Sequence, residues 1–377
     1  MAKRRGKGEG NIYKRTDGRW AARVSVGYRN GKRSRRWVYG DTRSDVSLQL
    51  REVIRAHEQG TLTAPGRLTV EQYLTRWMDD SAKGKLRPRT FASYAQVVRL
   101  HIVPGLGRVP LQRLSPQHVQ AWLNDRQKTG LSPRTCQYAR AILRSALAQA
   151  LRWGVVSRNV AALVEAPRVI RHEIRPLQPV EARRLLEVAR EDRLCALFTV
   201  ALALGLRQGE ALGLQWDAVE LEAGALHVRK SLQRVDGAWH LVEPKSARSR
   251  RTVAMPEVVM AALRVHRVSQ LQERLLAGAR WRESGFVFTT RVGTPIEPSN
   301  LTKAFQKLLA KAELRHIRFH DLRHTAATFL LAQGVDPRTI METLGHSQIS
   351  LTLNTYSHVL PSLQRDAAEK MNRLLVG

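Results

Sequence analysis

Acidic residues, cysteines and long apolar runs are all scarce in this chain. Only 32 Asp and Glu stand against 63 Lys and Arg, a formal net charge of +31, and such an excess asks for a polyanionic partner. Nucleic acid is the first reading, because cations that neutralise phosphates release condensed counterions whatever the base sequence; an anionic membrane surface is the rival. The longest apolar stretch, LCALFTVALALGL at 194–206, is too short to span a bilayer. The opening MAKRRGKGEG has none of the apolar core of a signal peptide, so a cytoplasmic protein is expected. The two cysteines, Cys136 and Cys195, form no CxxC pair or cluster, which argues against a disulfide framework and a cysteine metal site. Both fall in apolar helical patterns and are expected as buried core thiols. Low-complexity tracts and internal repeats are missing as well.

What is present is length enough for more than one core: 377 residues exceed what a single core usually organises. Residues 1–60 hold 16 Lys and Arg against 6 Asp and Glu. Within them NIYKRTDGRWAARVSVGYRNGKRSRRWVYG alternates in strand fashion, with Asp17-Gly18 and Asn30-Gly31 as hairpin signals. Three short strands and a helix from about Ser44 to Glu58 are predicted. Arg19, Trp20, Arg23, Tyr28, Arg33, Arg35, Arg36 and Trp37 interleave cations with aromatics, a mixture that suits a sheet laid in a DNA groove; a solvated basic sheet is the plainer reading.

GTLTAPGRL at 60–68 reads as a linker, and a helical domain over 67–165 follows. Thr69 with Gln72 forms a capping-box pattern, and Ser115-Pro116 and Ser132-Pro133 each set an N-cap before a first-turn proline. Helices are predicted over 69–83, 89–101, 116–128 and 133–153. RPRT at 87–90 and SPRT at 132–135 put Arg87, Arg89, Thr90, Arg134 and Thr135 at helix N-termini, where dipole, hydroxyl and charge can hold phosphate. Ordinary capping would account for them equally well. VEAPRVIRHEIRPLQP at 164–179 reads as a second linker. Residues 175–377 then show a mixed pattern: helices near 179–190, 193–204 and 256–276 and from 299 onward, with strands near 225–232, 238–243 and 250–255. The fold class is multidomain, mainly α with small β-sheets.

Four places set polar residues into apolar or turn-like patterns: LGLRQGEALGL (204–214), EPKSARSRRTV (243–253), HDLRH (320–324) and LGHSQISLTLNTYSHV (344–359). Arg207 is expected to close the apolar helix LCALFTVALALG and to pair with Glu210; a plain helix-end ion pair would look the same, but held rigid there the planar guanidinium suits a bidentate grip on phosphate. Lys245 lies between two strand-like runs among Arg248, Arg250 and Arg251; neighbouring cations lower a lysine pKa and make it a proton donor, although an exposed basic hairpin would look the same. His320, Arg323 and His324 stand at i, i+3 and i+4 and share one helix face. HDLRH echoes the HExxH of zinc proteases, but Arg323 would repel the metal and no third ligand follows, so no metal site is expected. LGHS reads as a helix end at Gly345 followed by His346, with Tyr356 ten residues on. Phosphodiester cleavage needs an in-line nucleophile, charge stabilisation on the non-bridging oxygens and an acid for the leaving oxygen. A tyrosine, paired Arg and His donors and a lysine meet those needs without metal or nucleotide.

GLRQGEALGL, HDLRHTAATFLLAQG and LGHSQISLTLNTY resemble the signature boxes of the tyrosine recombinases, the phage integrase family, with R…K…HxxR…H…Y in order over 175–377. Residues 69–165 look like that family's helical core-binding (SAM-like) domain, and GNIYKRTDGRWAARVSVG resembles its arm-type DNA-binding domain. The resemblance implies a catalytic set of Arg207, Lys245, His320, Arg323, His346 and Tyr356. Tyr356 would be the nucleophile that forms a 3′-phosphotyrosyl link, and Arg207 and Arg323 would clamp the scissile phosphate. Lys245 would protonate the leaving 5′-oxygen, His320 would be donor and acid/base, and His346 a further donor. Glu210, Asp321 and His324 would be supporting residues. It also implies no cofactor, double-stranded attachment-site DNA as substrate, a tetramer exchanging strands through a Holliday junction, and work at the nucleoid of a bacterial host. A DNA-bending host factor and an excisionase are partners of the family, and the tail after Tyr356 packs on a neighbouring subunit or on its own domain. The helix TRSDVSLQLREV departs from the charged helix usual behind the arm-type sheet. Rival readings are a conjugative-transposon recombinase with relaxed target choice, a type IB topoisomerase, and a DNA binder that does not cut.

Overall fold

The structure, a computed structural model, describes residues 11–29, 32–58, 68–170, 175–243, 250–345, 368–369 and 371–376, with residues 26–29, 32–34 and 56–58 described by their backbone alone. Two compact units divide the chain, residues 1–170 and 171–377.

The first unit opens with strands β1 (Asn11–Lys14), β2 (Trp20–Arg29) and β3 (Lys32–Gly40), antiparallel in the order β1-β2-β3, and helix α1 (Arg43–Glu58). The first hairpin closes at Asp17-Gly18, where Gly18 takes a φ of +84°; the expected Asn30-Gly31 turn lies outside the described residues. Strand alternation sends Ala22 and Val24 beneath the sheet against Val46 and Leu50 of α1. Trp20 shares that side and packs on this small core. This corrects its expected place among the groove-reading residues: in register with Ala22 and Val24, it faces inward.

Helices α2 (Val70–Trp77), α3 (Pro88–Val97), α4 (Val103–Leu106), α5 (Pro116–Lys128) and α6 (Pro133–Arg152) follow. Wide π-type turns at Met78–Ala82 and Val98–Ile102 prolong α2 and α3. The predicted caps are formed. Gln72 N–H donates to Thr69 Oγ1 and Thr69 N–H to Gln72 Oε1, and the Ser115 and Ser132 hydroxyls accept from His118 N–H and Thr135 N–H. Leu74, Ile102, Leu123, Ile142, Leu143 and Cys136 fill the core, and Tyr73 Oη donates to Ala146 O at 2.7 Å. Cys136 is buried as expected, whereas Cys195 is only half-buried.

The second unit contains α7 (Pro179–Ala189), α8 (Cys195–Leu204), α9 (Gln208–Leu212), α10 (Glu257–Ala277), α11 (Pro298–Lys311), α12 (Asp321–Ala332) and α13 (Pro337–Leu344). Its strands are β4 (Val219–Glu220), β5 (Ala225–Val228), β6 (Ser231–Val235), β7 (Ala238–Val242) and β8 (Arg251–Ala254). The expected single strand at 225–232 is in fact two. β5 lies between β4 and β8, while β6 pairs with β7 in a separate two-stranded sheet, and the exposed Arg229-Lys230 step separates them. Alternation stays in phase across the break, so the pattern alone concealed it. Helix α8, CALFTVALAL, is apolar on nearly every face because α7, α10 and α12 surround it. Residues 368–369 and 371–376 are helical and exposed, including Met371, Leu374 and Leu375. Among the described residues no helix is long and apolar enough to cross a membrane.

Two glycines let elements of this unit close on one another. Gly205 ends α8 at φ +62°, and a β-carbon there would stand 2.4 Å from Leu344 Cδ2. Gly209 lies against β6, where a β-carbon would meet Ser231 Oγ at 2.5 Å. Gly205→Ala combines a left-handed backbone with a clash, and is expected to destabilise the protein by more than about 1 kcal/mol. An unchanged urea midpoint for that variant would contradict the packing described.

Candidate active site

The turn between α8 and α9, the first turn of α12 and the C-terminal end of α13 converge on one place. Arg323 enters it from α12 with only 1% of its surface exposed, and its Nη1 donates to Gly205 O at 2.8 Å. A guanidinium so deep in the protein is fixed by its surroundings before any ligand arrives. Arg207 is the N-cap of α9 and does not close α8, which ends at Gly205. Its backbone N–H donates to Glu210 Oε2 at 3.0 Å and its Nη1 to Glu210 Oε1 at 2.7 Å. Its Nη2 donates to Gly345 O at 2.8 Å. Arg207 is therefore held by its own helix and by the end of α13, while 37% of the side chain stays open to solvent.

Glu210 is 4% exposed and carries a second cation. Arg251, at the start of β8, donates from Nη2 to Glu210 Oε2 at 3.0 Å and from Nε to Thr343 O at 2.6 Å. Burial pushes the Glu210 carboxyl up, but Arg251 and then Arg207 outweigh it and hold it below the ordinary carboxylate range. The last carbonyls of α13 thus face two guanidinium groups, the favourable sign for a helix C-terminus.

His320 precedes α12 and His324 lies one turn on, their rings 5.1 Å apart and nearly perpendicular. Loss of water around its ring, and then the Arg323 charge, hold His320 below its usual pKa, with Arg207 and Arg318 acting the same way. Both site arginines are therefore felt by one imidazole, which is neutral at pH 7. His324 is pushed down to about 4, by burial first and His320 second. Asp321 is bound by Arg318. Its carboxylate accepts from Arg318 N, Nε and Nη2 at 2.8, 3.3 and 2.9 Å, which overcomes the effect of burial and lowers its pKa. With Thr325 Oγ1 donating to Asp321 O and accepting from Leu177 N–H, this end of α12 is tied to the start of the unit. Among the described residues no three His, Cys, Asp or Glu side chains stand together as metal ligands. Two oriented guanidinium groups beside a neutral imidazole can bind a tetrahedral anion and stabilise added charge on its oxygens.

Of the expected residues, Arg207, Glu210, His320 and Arg323 come together here, with His324 against His320; Lys245, His346 and Tyr356 lie outside the described residues. Arg251 was not among the expected residues. The signal was its place two positions before Val253, which is buried, so strand alternation turns both inward.

In the N-terminal sheet, Arg19, Arg23 and Arg35 are exposed, and the side chain of Arg33 lies outside the described residues. Opposite α1 the sheet presents Tyr13, Trp37 and Tyr39, 38%, 42% and 49% exposed. Trp37 stacks on Tyr39 with ring centres 6.3 Å apart, Tyr13 meets Trp37 edge-on, and Arg23 and Arg15 lie over Trp37 and Tyr39. Tyr13 and Tyr39 had not been singled out. In the helical part, Arg87, Arg89 and Arg134 are exposed, while Thr90 and Thr135 are half-buried. The Thr135 hydroxyl lies 2.8 Å from that of Ser132.

Comparison with known proteins gives consistent findings. The "Phage integrase family" model matches residues 175–362, and "Phage integrase, N-terminal SAM-like domain" matches residues 69–126. An integrase of Saccharopolyspora erythraea is 30% identical, covering 98% of this chain and 97% of that one. A XerC-like tyrosine recombinase of Caldanaerobacter subterraneus is 31% identical, covering 92% and 94%. Among solved structures, the Tn1549 transposon integrase in complex with a circular intermediate DNA has a TM-score of 0.67 at 21% identity, over 81% of this chain and 99% of that one. A lambda integrase tetramer bound to a Holliday junction has a TM-score of 0.58 at 18% identity, over 94% and 96%. These two likenesses speak to fold, and the relatives at 30% and 31% identity to descent: the chain belongs to the phage integrase family of tyrosine recombinases.

Proposed function

We propose that this site-specific recombinase cleaves double-stranded attachment-site DNA through Tyr356 and rejoins it without metal or nucleotide. The observation that carries the reading is the pair Arg207 and Arg323, each fixed by a main-chain carbonyl, with a neutral His320 between their fields. Tyr356 Oη attacks the scissile phosphorus as the bond to the 5′-oxygen breaks, leaving a 3′-phosphotyrosyl link and a 5′-hydroxyl. His320 takes the phenolic proton, and Lys245 supplies the proton for the departing oxygen. Arg207 and Arg323 stabilise the charge that builds on the non-bridging oxygens, and His346 adds a further hydrogen bond. Because the ester keeps the energy of the broken bond, a second DNA end reverses the attack without an energy source. Paired exchanges in a tetramer, through a Holliday junction, would integrate or excise a phage or other mobile element.

The N-terminal sheet is the proposed arm-site reader, with Arg19, Arg23, Arg33, Arg35 and the Trp37 face against DNA. Arg87, Arg89, Thr90, Arg134 and Thr135 are the proposed phosphate contacts of the helical domain. Residues 1–60, 67–165 and 175–377 are thus treated as three functional domains. A DNA-bending host protein and an excisionase complete the proposed assembly at the nucleoid of a bacterial host. Target choice separates this reading from a conjugative-transposon recombinase with the same chemistry.

Three experiments test the reading. On a nicked duplex carrying the attachment site, in EDTA, the wild type should give an SDS-resistant protein–DNA band and Tyr356→Phe none, with equal gel shifts. A full-strength band from Tyr356→Phe would move the nucleophile elsewhere. Single-turnover cleavage should fall with acid only below pH 6.5, because the base must be neutral and the His320 pKa is displaced downward from that ordinary value; a limb above 6.5 would remove His320 from the role. Deleting residues 1–60 should abolish binding to one class of DNA site and flatten the slope of log affinity against log salt. Retention of every site with an unchanged slope would deny the sheet its role.

A further inference from the structure

The groups around Glu210 leave one residue without a part in the chemistry above. Arg251 has no step assigned to it in that chemistry, yet its side chain is only 5% exposed. Its two described hydrogen bonds run in different directions. One reaches Glu210 Oε2, the oxygen that also accepts the Arg207 backbone N–H. The other reaches Thr343 O, two residues before the Gly345 carbonyl that accepts from Arg207 Nη2. Arg207 and Arg251 therefore grip the same carboxylate and the same helix end, and the four groups close into a ring: Arg207, Glu210, Arg251 and the C-terminus of α13.

We infer that Arg251 is a positioning residue for recombination, which sets the angle of Arg207 and the end of α13 together through Glu210. The inference rests on the phosphate-binding role of Arg207 proposed above. A buried carboxylate facing one cation can settle in several rotamers, whereas one held from two sides by guanidinium groups has a single arrangement. Removal of Arg251 leaves Glu210 to Arg207 alone, and frees Thr343 O from the strand that anchors it. The Gly345 carbonyl, which precedes His346 in the chain, then loses the second of the two arginines that fix its helix end. The tight fit at Gly345 supports this role: a β-carbon there would lie 3.0 Å from Arg251 Nη1, and the residue already takes a φ of +67°. The end of α13 is thus shaped around the arginine.

The test uses the full chain. Arg251→Ala should slow single-turnover cleavage of the nicked duplex by about 10²-fold at saturating DNA, the scale of a misplaced reacting group, with DNA affinity within about twofold of wild type. The further loss of rate that protonation of Glu210 adds to the His320 acid limb should move to higher pH, because Glu210 loses the first of the cations that hold its carboxyl low. Arg251→Lys should restore the acid limb and recover part of the rate. Combined with Glu210→Gln, Arg251→Ala should cost little more than the worse single variant, as for members of one unit. Amide hydrogen exchange over residues 337–345 should quicken in Arg251→Ala while α8 stays protected. Full-rate cleavage, an unmoved acid limb, additive losses with Glu210→Gln or unchanged exchange at 337–345 would each overturn the inference. Should Arg251→Ala not fold, Arg251→Lys decides the matter: rate and acid limb equal to wild type confine Arg251 to a structural role, and a reduced rate with a restored limb supports positioning. If the wild type itself forms no adduct, the proposed chemistry falls, and the exchange measurement still decides whether the ring holds.

Discussion

One buried carboxylate holds the candidate active site together. Glu210 is 4% exposed, and an ionised group so buried without partners would be costly. Arg207 and Arg251 supply those partners, one guanidinium on each carboxylate oxygen. Loss of one cation from such a site typically costs about 3–5 kcal/mol, chiefly because the remaining charge is stranded. The arrangement is thus constrained both ways: the carboxylate requires the arginines, and Arg207 has its orientation set by the carboxylate. What remains after this pairing is net positive charge beside His320 and Arg323.

The same economy of helix ends recurs around the site. Gly205 and Gly345 both end helices in the left-handed region, and both offer a carbonyl to a site arginine. Helix C-termini carry carbonyls with no intrahelical donor. Here those leftover acceptors hold the guanidinium groups, so the backbone itself defines where the cations point. Anchorage of this kind does not depend on a further flexible side chain, and it links cation position to helix packing through Leu344 and Ala326.

Much of this was legible in the sequence because its causes are local. The caps at Thr69, Ser115 and Ser132, the helix end at Gly345 and the Arg207–Glu210 pair all act within four residues, and each appears as written. The helices of both units follow from apolar spacing and first-turn prolines. Features set by distant partners were not legible. The break at Arg229-Lys230 preserves alternation, so only the pairing of β5 with β8 and of β6 with β7 reveals two strands. Trp20 carries the same cation-rich surroundings as Trp37, and register alone sends one inward and the other outward. Arg251 looked like one of three similar arginines until β8 placed it opposite Glu210, more than forty positions away in the chain.

The outward aromatic face of the N-terminal sheet has a thermodynamic consequence of its own. Trp37 and Tyr39 stand parallel within 7° and Tyr13 meets Trp37 at 80°, already ordered by neighbours on β1 and β3. A partner that covers them gains apolar burial without first having to freeze three large side chains. That gain carries a negative heat-capacity change and is indifferent to counterions. A partner seated on this face would therefore be held by a component that added salt does not screen.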